Sequence, residues 1–130
     1  MAKRPSPHPT EAEMEILVLL WKKGPLTAGE VQEELGRRRR TGYTTALKLL
    51  QTMHKKKLVR RDESERAHLY EAAVDEGTTQ AKVVNTLAEQ LFSGSVAKLV
   101  MHAIATAPAS ASELAEIKTI LAEREKKRRK

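Results

Sequence analysis

A chain of 130 residues, 40% of them hydrophobic, can bury one modest core with a helical appendage and leaves little room for two full domains. The excess of 24 Lys and Arg over 17 Asp and Glu, a net charge of +7, favours a polyanionic partner, either nucleic acid or an acidic membrane surface. The lack of cysteine excludes disulfides, thiolate metal sites and thiol nucleophiles, and no run approaches the roughly 18 apolar residues that span a bilayer, so a cytoplasmic protein without membrane insertion is expected.

Residues 1–9 carry Pro5, Pro7 and Pro9 and no apolar period, which predicts a disordered basic arm with Lys3 and Arg4. Thr10 with Glu13 forms a capping box, and Met14, Leu17, Val18 and Trp21 follow at helical spacing until Gly24 and Pro25, predicting a helix over 11–23. A second box, Thr27 with Glu30, opens a helix over 28–36 that carries Val31 and Leu35 and closes at Gly36. A third helix is predicted from Gly42 or Tyr43 to Lys56. Its buried stripe would be Thr45, Ala46, Leu49, Leu50 and Met53, and its opposite face Tyr43, Thr44, Leu47, Lys48, Gln51 and Lys55.

Residues 58–62 and 67–72 read as two short strands joined by the polar linker 63–66. Three helices followed by a hairpin is the winged-helix order. Helical patterning then resumes. Val84, Leu87, Ala88 and Leu91 form a stripe that ends at Phe92-Ser93-Gly94-Ser95, Ser95 caps a helix with Val96, Leu99, Val100, Ala103 and Ile104, and a last helix with Leu114, Ile117 and Leu121 starts at Ser110 or Ser112, where Ser110 and Glu113 would form a capping box. The expected fold is mainly α with a small β-hairpin. A winged helix-turn-helix over 10–74 would be joined to a helical dimerisation region over 75–130 with a basic C-terminal tail.

Charge is distributed unevenly along this plan. Residues 37–61 contain ten cations, Arg37 to Arg40, Lys48, Lys55 to Lys57, Arg60 and Arg61, and no Asp or Glu. In a helix-turn-helix the second helix enters the major groove and its outward residues reach base edges. Here those are Tyr43, Thr44, Leu47, Lys48 and Gln51. Lys can donate to guanine, Gln can pair with adenine, and Thr or Leu can lie against a thymine methyl. Arg40, Lys55, Arg60, Arg61 and Arg66 are placed for phosphates. Duller readings stand beside these: Arg37 to Arg40 as a solvated face, Leu47 as an extension of the core, Tyr43 packed on the end of the second helix, and Gln51 as an ordinary helix former.

The four histidines, His8, His54, His68 and His102, lie on separate elements without the spacing of a zinc site, so no metal or cofactor is expected. His54 and His68 read as surface or packing residues. No phosphate loop, nucleophile elbow or paired-carboxylate signature is present, and an enzyme is not expected.

Glu13-Met14-Glu15-Ile16-Leu17 through Leu20-Trp21, Gly24-Pro25-Leu26-Thr27, Glu30-Val31, Tyr43-Thr44-Thr45-Ala46-Leu47, Lys57-Leu58-Val59-Arg60-Arg61, Tyr70, and Phe92-Ser93-Gly94-Ser95 with Leu99-Val100 resemble the BlaI/MecI/CopY family of penicillinase-type repressors, over about residues 10–122. The resemblance implies a homodimer on a palindromic, double-stranded DNA operator, repressing a β-lactamase-type or other stress-response operon. Val84, Leu87, Leu91, Leu99, Val100, Ile104, Leu114, Ile117 and Leu121 become candidates for the dimer interface. The same residues could instead form an intramolecular helical core. The resemblance also brings in a membrane sensor protease acting in trans, with a proteolysis position at His102-Ala103, although the family's Asn-Phe dipeptide is not kept there. The copper branch senses metal through C-terminal cysteines, which this chain lacks. The alternatives are a nonspecific nucleoid or RNA-binding protein using Arg37 to Arg40 and the tail Lys126 to Lys130, and a winged helix that binds only protein.

Overall fold

The computed structural model describes residues 8–38 and 40–128. Most of the expected basic arm therefore lies outside the described residues, as do Arg39 of the arginine run and Arg129 and Lys130 of the tail. The described residues divide into two compact units, parted between Val83 and Val84.

In the first unit, α1 (Glu11–Lys23) starts at a complete capping box. The Thr10 hydroxyl accepts the Glu13 amide at 3.3 Å, and the Glu13 carboxylate accepts the Thr10 amide at 2.8 Å. Gly24, at φ 81°, ends the helix, its amide donating to the Leu20 carbonyl. The apolar run of α1 goes nearly all round, and packing selects Ile16, Leu17 and Leu20 for the interior. Val18, expected inside, is 52% exposed.

Leu26 and Thr27 form β1, a strand that local sequence does not mark. Thr27 also caps α2 (Ala28–Gly36) through a second complete box with Glu30. Helix α3 (Tyr43–Lys55) turns Ala46, Leu50 and Met53 inward, while Thr45, expected on that stripe, is exposed. Strands β2 (Val59–Asp62) and β3 (Leu69–Ala72) form the expected hairpin, but the sheet has three antiparallel strands in the order β1-β3-β2. Leu26 pairs with Tyr70, and Arg61 pairs with the same Tyr70 from the other side. Tyr70, on the central strand, is 2% exposed and packs with Ile16, Leu50, Met53 and Leu58 in the core.

The Trp21 indole N–H donates to the Val74 carbonyl at 3.0 Å, tying the last turn of α1 to the segment that leaves the sheet. Just beyond, Asp75 accepts both the amide and the hydroxyl of Thr78, at 2.9 and 3.0 Å, and α4 (Glu76–Leu91) begins. The early part of α4 had no sequence assignment, because its Gly77, Thr78 and Thr79 carry no apolar period.

The second unit is helical. Ser93 and Gly94, at φ 52° and 80°, turn the chain after α4, and the Ser95 hydroxyl accepts the Lys98 amide at 3.1 Å to cap α5 (Val96–Thr106). Ser110 and Glu113 exchange bonds of 2.9 and 3.0 Å and start α6 (Ala111–Arg128). No residue of α5 or α6 is buried.

Candidate nucleic-acid interface

The α2-turn-α3 pair is set by polar contacts at its turn and apolar contacts along its inner face. The Gln32 amide in α2 donates to the Thr41 carbonyl at 3.1 Å, and Thr41 itself is buried just before α3 starts. On the far side of α2, Lys23 of α1 meets Glu34 at 2.8 Å, and the hydrogen bond from that ammonium holds the Glu34 carboxyl below its ordinary value. With Ala46, Leu50 and Met53 turned inward, helical geometry presents Thr44, Lys48, Gln51 and Lys55 to solvent.

Tyr43 is 53% exposed and lines a groove that starts beside Thr27, Ala28 and Gly29, at the beginning of α2 rather than at its end. Leu47 is half-buried, touching the core and lining the same groove.

This groove, about 520 Å³, brings three of the five predicted base-reading residues, Tyr43, Leu47 and Gln51, together with Arg61 and Arg66 of the hairpin. Thr44 and Lys48 stand exposed on α3 outside its lining. His68 is half-buried in its wall, and no carboxylate lines it. A cavity open to solvent with two arginines in its lining can accept an anionic group.

The predicted phosphate-binding residues do not form one cluster. Arg66 is exposed near the hairpin tip, Arg40 is exposed in the α2–α3 turn, and Lys55 is exposed at the far end of α3. Arg60 pairs with Glu71 directly across the ladder at 3.1 Å, and Arg61 meets Glu63 at 3.0 Å with its side chain 26% exposed. The Arg61 Nε is buried without a hydrogen-bond partner. The Arg60–Glu71 pair is exposed on both sides and such pairs contribute little to stability, so the Arg60 guanidinium can exchange its carboxylate for another anion at small cost. One cation of the acid-free run, Lys56, faces inward and meets Glu13. Local sequence held no signal for that, because Glu13 is 43 residues away.

In the second unit, seven of the nine predicted interface residues are exposed: Val84, Leu87, Leu91, Val100, Ile104, Leu114 and Leu121. Leu99 and Ile117 are half-buried. Met101 and Ile120, which are not among the expected interface residues, are also exposed, at 62% and 58%. They fall off the stripes chosen by spacing, and only the near-continuous apolar character of α5 hinted at Met101. His102 and Ala103 lie exposed within α5, with the His102 ring 5.9 Å from Phe92 and its carbonyl accepting the Thr106 hydroxyl at 2.7 Å.

Three helices, a short strand between the first two, and a hairpin completing an antiparallel sheet define a winged helix-turn-helix protein, with α3 in the recognition position. A sequence model of the penicillinase repressor family matches residues 9–123, and the chain belongs to that family. It is similar to the penicillinase repressor of Staphylococcus aureus, 24% identical over 116 residues that make up 89% of this chain and 92% of the relative. It is likewise similar to the methicillin resistance regulatory protein MecI of Mammaliicoccus sciuri, 23% identical over 112 residues, 86% of this chain and 91% of the relative. Among solved structures, the solution structure of the DNA-binding domain of the repressor BlaI superposes with a TM-score of 0.50 at 24% identity, covering 57% of this chain and 90% of that one, which supports the winged-helix fold.

Proposed function

We propose that this chain is a sequence-specific transcriptional repressor that binds a palindromic operator as a homodimer and blocks transcription by occupying it, without catalysis. The observation that carries the reading is the solvent-facing side of α3. It offers Thr44, Lys48 and Gln51 with no acidic residue, and lies beside a carboxylate-free groove that holds Arg61 and Arg66. On this reading Tyr43, Thr44, Leu47, Lys48 and Gln51 contact base edges. Arg40, Lys55, Arg60, Arg61 and Arg66 contact phosphates and set register without reading sequence.

The dimer is supported by the helices of the second unit. Apolar side chains that stay exposed along α4, α5 and α6 in one chain are those that a symmetric copy would cover, and a twofold protein matches a twofold operator. Among the described residues no helix is long and apolar enough to cross a membrane, in keeping with action in the cytoplasm. Release by a membrane sensor protease would require cutting within α5 near His102-Ala103, which means opening that helix first.

The test is a titration against duplexes selected from a random library, with a scrambled duplex in parallel at two salt concentrations. Discrimination of about a thousandfold with a symmetric footprint is the expected result. Equal, steeply salt-dependent binding to both duplexes would replace this reading with a nonspecific nucleic-acid binder. Absence of binding to either would favour a protein-binding winged helix.

A further inference from the structure

The side chains of Lys56 and Glu13 are 6% and 2% exposed, and Nζ lies 2.8 Å from Oε1. The same Glu13 oxygen accepts the Thr10 amide at 2.8 Å within the capping box, and Lys56 Nζ is also 3.5 Å from the His8 carbonyl. Each charge sits at the helix end whose dipole favours it, the carboxylate at the start of α1 and the ammonium at the end of α3. Both groups lose hydration, however, and an apolar pair of similar volume would hold the two helices together at least as well. What an ion pair adds over an apolar contact is direction.

We infer that Lys56 is a positioning residue for DNA recognition. With Glu13 it sets the axis of α3 against α1, and it does not touch DNA itself. The inference rests on the reading of α3 as the recognition helix. The other end of the element is held by the Gln32 bond to the Thr41 carbonyl, and the backbone at Lys56 is held by the amides of Lys57 and Leu58, which donate to the carbonyls of His54 and Met53 at 3.1 and 2.9 Å. Between these fixed ends, the inner contacts of Ala46, Leu50 and Met53 are apolar and non-directional. A helix of 13 residues is about 20 Å long, so a 10° change of its axis displaces one end relative to the other by about 3.5 Å. That is more than a hydrogen bond to a base edge tolerates. An ionic clamp at one end thus bears on base reading at the other.

The experiment uses the full chain, the duplex that the unaltered protein selects from a random library, and a scrambled duplex. The variants are Glu13→Gln, which keeps the capping box, Lys56→Met, and the two combined. A single substitution leaves one buried charge without its partner and lowers the melting temperature. The double variant removes both buried charges and recovers part of it. The ratio of affinities for selected over scrambled duplex should fall about tenfold or more in each single variant, measured below its melting temperature. It should stay low in the double variant, while the dependence of scrambled-duplex binding on log salt is unchanged.

Selectivity that returns together with stability in the double variant would make the pair merely structural and overturn the inference. Unaltered selectivity in all three variants would do the same. A salt slope reduced by about 0.9 in Lys56→Met alone would make Lys56 a phosphate contact and also overturn it. If the unaltered protein distinguishes no duplex, the recognition reading itself falls and takes the inference with it. Should the single variants fail to fold, the double variant still decides.

Discussion

Leu91 closes the apolar stripe of α4 and is 71% exposed in the single chain, the largest exposure of any big apolar side chain described. Replacing it with alanine removes three carbons, about 2.4 kcal/mol at about 0.8 kcal/mol per buried carbon, if the site passes from water to full burial. Because 71% of the residue is still open to be covered, the loss at one copy is about 1.7 kcal/mol. Twofold symmetry places the substitution on both sides of the interface, so the dimer should weaken by about 3.4 kcal/mol, or roughly 300-fold in its dissociation constant. Sedimentation equilibrium over a range of concentrations measures this directly. The helical content of the monomer should stay constant, because Leu91 contributes little to its own chain's core. Operator affinity should fall with dimerisation, since two half-sites would no longer be linked. An unchanged dimer constant for Leu91→Ala would place the interface elsewhere. A monomeric unaltered chain at micromolar concentration would remove the dimer altogether.

Lys57 is a non-glycine residue in the left-handed region, at φ 66°, and its side chain is exposed. Lys57→Gly should stabilise the first unit by about 1 kcal/mol, a rise of about 4–8 °C in melting temperature by calorimetry. Trp21→Phe removes the donor to the Val74 carbonyl and should cost about 1–2 kcal/mol in denaturant unfolding, followed by circular dichroism because Trp21 is the one tryptophan in the chain. Acid should destabilise the protein through Glu34, Asp62, Asp75 and Glu113, whose carboxyls are held below their ordinary values by hydrogen bonds from Lys23, Ser64, Thr78 and Ser110 respectively. A lowered folded value means stability that is fully present above the ordinary 4.5 for Glu or 3.8 for Asp and is lost as the pH falls through the folded value. Asp75→Asn keeps an acceptor for Thr78 but does not titrate, so its melting temperature should fall less steeply than that of the unaltered chain below about pH 4.

Much of the architecture is written in contacts that span three or four residues. The pairs Thr10 with Glu13, Thr27 with Glu30 and Ser110 with Glu113 announced three helix starts before any packing was known, because a capping box is closed within one turn. The acid-free stretch 37–61 marked the segment around α3 as the most basic part of the chain, because a local charge excess is read from residue types alone. The order of three helices and a hairpin was legible for the same reason.

What depended on distant partners was not legible. Strand β1 is two residues long and exists through its pairing with β3, more than forty residues on, so no local preference marks it. The apolar surface of α1 runs nearly all round, and only the fit against the other elements chose Ile16 and Leu20 over Val18. Thr45 fell one position from the inward stripe, because the rotation of α3 is fixed by the burial of Ala46, Leu50 and Met53 together. Lys56 read as one surface cation among ten, yet Glu13 faces it, and the bond from Trp21 to Val74 spans 53 residues. The sequence by itself determined three capped helix starts, the order of three helices and a hairpin, and the sign of the charge around α3. Tertiary structure decided which side of each helix is buried and which charges meet, because those outcomes depend on chain segments that become neighbours only on folding.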